Sequence, residues 1–218
     1  MKTAFKLSAY TVVLFVAVAM VASSCKKEEI APTRVHTINY ADSNGNSLFT
    51  EEYIYDEQYR LSQVEIDDSL VASFTYNDLS VVETNGKNNG VYALNTDGYV
   101  INTNYEFSVL TNFFYSTPGY VDSTKQGSVS TYYTWNGENL VSTYGTDTIN
   151  YTYLTDKFTT IGNEYIGRAY LGKDSKNLVS TATYTSSNTT ISYTYEFDAQ
   201  NRVTKRSNGT LVETYTYY

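Results

Sequence analysis

The segment Tyr193-Thr194-Tyr195-Glu196-Phe197-Asp198-Ala199-Gln200-Asn201-Arg202-Val203 constrains the fold more than any other stretch of the chain. Alternate residues of an extended strand point to opposite sides, so Tyr193, Tyr195 and Phe197 share one face and Thr194 and Glu196 the other. Asp198 to Asn201 then supply a turn, because Asn tolerates a left-handed backbone, and a return strand starts at Arg202-Val203. The unit recurs. Tyr53 to Leu61 has the same spacing, Tyr133 to Val141 is a shorter version, and Tyr40 to Asn46 is a looser echo. Tyr59 stands where the other copies carry Asn or Gly, and a positive φ there is strained, so a different turn is expected for that copy. Asn208-Gly209 is a hairpin signal suited to a type I′ turn.

Turn signals every 8–12 residues predict an all-β domain over residues 34–218. The expected architecture is an antiparallel meander of tandem hairpins forming a strongly curved sheet or soluble barrel. Composition agrees: 24 Tyr and abundant Thr favour strands, whereas Pro and Met number two each. No stretch beyond residue 30 has a helical period. A membrane-spanning barrel needs a lipid-facing apolar band about 25 Å tall. Here Tyr and Thr fill the strand middles, and the same-face neighbours of Tyr218 are Thr216, Thr214 and Val212.

Residues 1–24 read as a secretory signal, with Lys2 and Lys6 ahead of the apolar run Val12–Ala22. That run is too short to span a bilayer, which needs about 20 residues. A single cysteine, Cys25, follows directly, so no internal disulfide can form. Val-Ala-Ser-Ser-Cys25 resembles the lipobox of bacterial lipoproteins, although Ala22 stands where Leu is usual. The resemblance implies cleavage before Cys25 and acylation of it with fatty acids such as palmitate; ordinary signal-peptidase cleavage near Ala22 or Ser24 is the alternative. Lys26-Lys27-Glu28-Glu29 resembles the signal that sends Bacteroidetes lipoproteins to the outer face of the outer membrane. This makes residues 25–33 a lipidated cysteine plus charged tether and implies a surface-exposed outer-membrane lipoprotein, with the periplasmic face as alternative.

Without residues 1–24 the chain carries 13 basic and 23 acidic residues, a net charge near −10. That balance argues against nucleic acid or anionic lipid as a partner, since both are held by Lys/Arg clusters. About 190 residues suit one domain.

The hairpin units resemble the tyrosine-aspartate repeats of Rhs-type surface proteins. They are more similar to a Bacteroidetes outer-membrane lipoprotein family of unknown function with a porin-like β-fold. Gly167-Arg168-Ala169-Tyr170-Leu171-Gly172-Lys173-Asp174-Ser175-Lys176-Asn177-Leu178-Val179 resembles that family's Gly-Lys-x-Ser-Lys-Asn-Leu element. The resemblance covers roughly residues 34–218 and implies a fold and an envelope location, with no catalytic residues to carry over.

Candidate chemistry is sparse. His36 is the only histidine, so no His/Cys metal site and no His-based nucleophilic catalysis is expected. Asp67, Asp68, Glu51 and Glu52 are acids that a glycoside hydrolase could use in pairs, but acids at turns and strand edges are mostly solvated. Asp42-Ser-Asn44-Gly-Asn46 has its Gly one position too early for a calcium loop and reads as a hairpin turn. Asp68-Ser69-Leu70, Asp122-Ser123-Thr124 and Asp147-Thr148-Ile149 resemble the Asp-Ser/Thr-apolar O-glycosylation motif of Bacteroidetes envelope proteins, which implies modification at Ser69, Ser123 and Thr148. Trp135 is the one tryptophan, a ring suited to stacking on a ligand. The expected role is a non-enzymatic binding or interaction module, without cofactor or metal, for a glycan, peptide or envelope protein. A passive assembly component pairing through strand edges and a carboxylate-based glycan hydrolase are the alternatives.

Overall fold

The computed structural model describes residues 33–86, 88–105 and 110–218; the signal-like segment, Cys25 and the tether lie outside the described residues. The strands are β1 (Val35–Asp42), β2 (Ser47–Tyr55), β3 (Leu61–Ile66), β4 (Ser69–Asn77), β5 (Ser80–Asn85), β6 (Asn88–Leu94), β7 (Val100–Tyr105), β8 (Thr111–Phe114) and β9 (Ser123–Gln126). They continue as β10 (Val129–Asn136), β11 (Asn139–Tyr144), β12 (Thr148–Phe158), β13 (Asn177–Tyr184), β14 (Thr189–Ser192), β15 (Thr194–Phe197), β16 (Val203–Ser207) and β17 (Leu211–Tyr217). Among the described residues only Ala169–Leu171 form a helical turn, of the 3₁₀ type.

All seventeen strands belong to one antiparallel sheet. Strand β1 pairs with β2 on one side and β17 on the other, so the meander returns to its start as a nearly closed barrel. Strands β14 and β15 are separated by Tyr193 alone; the first pairs with β13 and the second with β16. Antiparallel alternation therefore puts the β2–β3, β4–β5, β6–β7, β8–β9, β10–β11, β12–β13 and β15–β16 connections at the end where β1 begins, called here the proximal end.

Four proximal and distal turns share one hydrogen-bond pattern. In the Asp56 copy the carboxylate Oδ1 accepts from the amides of Gln58 and Arg60, each at 2.9 Å, and Arg60 Nε donates to Oδ2 at 2.8 Å. Asp198 does the same with Gln200 and Arg202, Asp42 with Asn44 and Asn46, and Asn95 with Asp97 and Tyr99. The fourth residue takes positive φ in every copy: Gly45, Tyr59, Gly98 and Asn201. Tyr59 thus corrects the expectation of a different turn. Its φ of 59° costs about 1–2 kcal/mol, offset by the Asp56 cap and by Arg34 Nε, which donates to the Tyr59 carbonyl at 2.9 Å. Because Asn95 does the same capping with an amide, Asp56→Asn is expected to be nearly silent in thermal melts. Asp56→Ala, which strands two amides at this turn, is expected to cost about 1 kcal/mol.

The Asn208-Gly209 hairpin forms where expected, but not as type I′. Gly209 takes positive φ and Asn208 does not, because the Asn208 side chain is engaged in accepting from the amides of Thr210 and Leu211 at 3.1 and 2.8 Å. The paired positive φ values of type I′ occur instead at Asp67 and Asp68.

Register fixes what faces out. Thr37 and Thr216 bond across strands at 2.8 Å, Thr152 and Thr181 at 2.7 Å, Thr183 and Thr190 at 3.0 Å. Such outward threonine pairs make these parts of the outer face polar. The dry core lies at the proximal end. Val35, Leu61, Val81, Val100 and Val203 are fully buried, and each is the first or second residue of a strand leaving that end.

Candidate functional site

Those aliphatics are dry because the β12–β13 connector, residues 159–176, folds inward and packs on them. Phe158 pairs with Asn177, so the connector leaves and re-enters the sheet at one place. Tyr165 O accepts from the Val35 amide at 2.9 Å, Gly167 O from Leu61 at 3.3 Å, and Gly119 O accepts from Lys173 at 2.7 Å. Tyr170, at the 3₁₀ turn, is buried edge-on against Tyr76 and Tyr92, with ring centroids 6.2 and 5.2 Å away. The Arg168 guanidinium lies 5.1 Å over the Phe74 ring. Gly167 makes the close approach possible: its φ is 72°, and a Cβ there would sit 2.6 Å from the Leu61 nitrogen. Asn177 locks the return. It is buried, and its Nδ2 donates to the carbonyls of Thr155 and Lys157, each at 3.1 Å. The Gly167–Val179 segment singled out in the sequence is thus the plug and its anchor.

The plug seals the β1–β7 side and leaves space on the other. A cavity of about 360 Å³ lies inside the barrel, walled by Tyr133 and Trp135 of β10, Tyr151 of β12, Tyr193, Tyr195 of β15 and Arg206 of β16. A second space of about 650 Å³ lies outside the plug, lined by its Glu164 and Lys176 together with Arg34 and Glu138. Thr159, Lys173, Asp174 and Ser175 border both, so the two legs of the plug form the threshold between them.

Several wall rings are held rigidly. Trp135 Nε1 donates to Val121 O at 2.8 Å and Tyr195 Oη to Val179 O at 2.7 Å; Tyr153 Oη donates to Leu140 O and meets Ser175 Oγ at 2.8 Å. Lumen carboxylates are also committed. Glu213 accepts from Arg206 Nε, from Nη2 at 2.7 Å and from Tyr215 Oη at 2.5 Å; Glu51 accepts from Tyr40 and Tyr53; Glu83 accepts from Tyr92 at 2.6 Å. Burial disfavours the Arg206 charge, but the hydrogen bonds and charge of Glu213 more than offset it and raise the guanidinium pKa.

Burial pushes the phenols of Tyr76, Tyr115 and Tyr195 up to about 12, and those of Tyr40, Tyr53, Tyr55 and Tyr215 higher still. A raised folded pKa means the unfolded chain gives up these protons first. Their contribution is complete below about pH 10 and lost as pH rises through 12. Ionisation of these seven phenols is therefore expected to coincide with loss of β-sheet circular dichroism in that window; complete ionisation of all the tyrosines near pH 10 in an intact fold would contradict it.

Of the residues singled out in the sequence, Trp135 stands in the cavity wall. His36 faces outward and meets Glu52 at 3.0 Å. Glu51 and Glu52 lie on opposite faces, and Asp67 and Asp68 sit in a turn, with Asp67 Oδ1 accepting from the Thr50 amide; the four acids are not brought together. Ser69 is exposed beside the Asp68 turn. Ser123 pairs across strands with Phe114 and Tyr132, and Tyr144 with Tyr132 and Thr148, which aligns both hydroxyls with three outward rings that are 50, 53 and 62 % exposed. Among the described residues no cluster of His, Cys, Asp and Glu could hold a metal. Sequence reading missed Arg206, Glu213 and Glu83. A usable signal existed: Glu213 shares the inward period-two face of Tyr215 and Tyr217.

No family model matches the chain, and no curated protein matches it either. Among solved structures the fold is similar to that of a porin-like protein from Bacteroides uniformis, with a TM-score of 0.64 and 17 % sequence identity, covering 86 % of this chain and 99 % of that one.

Proposed function

We propose that this chain is a non-enzymatic binding module of the cell envelope, tethered by a lipid on Cys25, and that a small ligand occupies the 360 Å³ cavity. The aromatic, pre-arranged wall carries the reading, since binding sites are typically concave, apolar-lined and largely pre-formed. Location at the outer membrane, facing outward, is supported by the lipobox-like Cys25 and by Lys26-Lys27-Glu28-Glu29. Glu213, Glu51 and Glu83 support a non-enzymatic role because each already holds a tyrosine partner, and Glu213 an arginine as well.

Trp135 is the only indole and lines the cavity, so its fluorescence reports occupancy. Saturable change on titration with envelope extracts, lost in Tyr193→Ala, which keeps the indole, is the expected result; an unresponsive indole in the folded protein excludes the cavity. Labelling by a fatty-acid probe that persists in Cys25→Ala excludes the anchor. The row Phe114, Tyr132 and Tyr144 favours a second reading as an assembly component, expected to show as co-purifying envelope proteins lost in Tyr132→Ser/Tyr144→Ser.

A further inference from the structure

We infer that the lumen cavity takes a neutral saccharide, an assignment that rests on the lumen-binding reading above. Two properties of the wall point there together. The first is ring faces. Tyr133, Trp135, Tyr151, Tyr193 and Tyr195 surround the space, and Trp135 and Tyr195, whose polar edges are tied to backbone carbonyls, are left to offer their faces. Aromatic faces carry partial negative charge and attract the C–H faces of a pyranose ring.

The second is charge. The charges at the wall come in opposite signs. Arg206 is bidentate to Glu213. The Lys173 ammonium sits 4.8 Å over the Tyr120 ring, and Asp174 Oδ2 accepts the Asn163 amide at 2.5 Å. The wall therefore offers a charged guest no net attraction of either sign: an anion drawn to Arg206 or Lys173 also meets Glu213 or Asp174, and a cation meets the reverse. A purely apolar guest would cover the Arg206 edge without replacing the hydrogen bonds water makes to it, which costs free energy. A neutral polyol satisfies both demands: its C–H faces lie on the rings, and its hydroxyls serve as donors and acceptors at the polar ends.

Tyr193 is central to this geometry. It stands alone between β14 and β15, where pairing passes from β13 to β16, its amide held by Ser180 O at 2.9 Å. Its ring lies beneath Arg206, 6.0 Å from the guanidinium carbon. Among the described residues Tyr133 Oη reaches Thr124 Oγ1 alone, at 3.5 Å, so removing either ring breaks little of the frame.

The test is Trp135 fluorescence of the purified protein, titrated with neutral mono- to tetrasaccharides (maltose, cellobiose and lactose series), with galacturonate, and with the neutral apolar dye N-phenyl-1-naphthylamine. At least one neutral saccharide is expected to give a saturable shift. Tyr193→Ala and Tyr133→Ala are each expected to raise its Kd by about tenfold or more, Tyr193→Phe to stay within about twofold, and Tyr144→Ala on the outer face to change nothing. Circular dichroism verifies that each variant is folded. Saturation by galacturonate or the dye alone overturns the saccharide assignment and leaves lumen binding standing. Saccharide binding indifferent to Tyr133 and Tyr193 places the sugar elsewhere and overturns the site. No saturable response to any class overturns both readings.

Discussion

Gly167→Ala is expected to lower stability by roughly 2–5 kcal/mol and to unseat the plug. An added methyl must hold a left-handed backbone, worth about 1–2 kcal/mol, and sits 2.6 Å from a backbone nitrogen and 2.8 Å from the Tyr55 ring. Neither obstacle is a flexible side-chain end, so the plug must move, at an overpacking cost of about 1–3 kcal/mol. For a domain of this size the loss corresponds to a Tm drop of roughly 5–15 °C. Hydrogen exchange localises it: the Val35 and Leu61 amides, which donate to Tyr165 O and Gly167 O, are expected to lose protection before the distal strands do. Unchanged protection at both amides would show that the plug does not depend on this contact.

The second large effect concerns Glu213, a carboxylate only 7 % exposed that accepts three hydrogen bonds from Arg206 and Tyr215. Arg206→Met leaves that charge buried without its counter-ion, and a loss of about 3–5 kcal/mol is expected. Glu213→Leu strands the guanidinium in turn. Arg206 keeps one edge toward the cavity and some water, so the loss is expected to be smaller, about 2–4 kcal/mol. The double variant Arg206→Met/Glu213→Leu is expected to recover most of it, because an apolar pair of similar volume removes the desolvation cost together with the attraction. Denaturant unfolding of the four proteins measures the coupling. Single variants within about 1 kcal/mol of the parent would mean that water, not the ion pair, fills this part of the lumen.

Local chemistry was legible where it acts locally. The Asp198 and Asp56 units were visible as an aromatic strand, a polar turn and a return strand, since a two-residue period and an Asx side chain need no distant partner. Local reading failed where a contact from elsewhere changes the balance. Tyr59 accepts a left-handed backbone because Arg34, remote in sequence, holds its carbonyl. Asn95 fills the same turn as Asp56, but its copy lacks the aspartate that made the others conspicuous. Of the four acids noted in the sequence only Glu51 is a lumen carboxylate, and Glu213, set among tyrosines, is another.

By itself the sequence determined the strands, most of the turns, and a barrel whose outside is polar and inside aromatic, because period and turn chemistry are properties of neighbouring residues. The proposal of a lipid on Cys25 likewise rests on the sequence alone. Only the tertiary structure decided that residues 159–176 turn inward, that Val35, Leu61, Val81, Val100 and Val203 gather around them, and that Tyr133, Trp135, Tyr193 and Arg206 face one cavity. Those are pairings between strands far apart in the chain, fixed when β1 meets β17 and closes the sheet. Closure makes an interior; which residues share it depends on register summed around the ring, a quantity no local window contains.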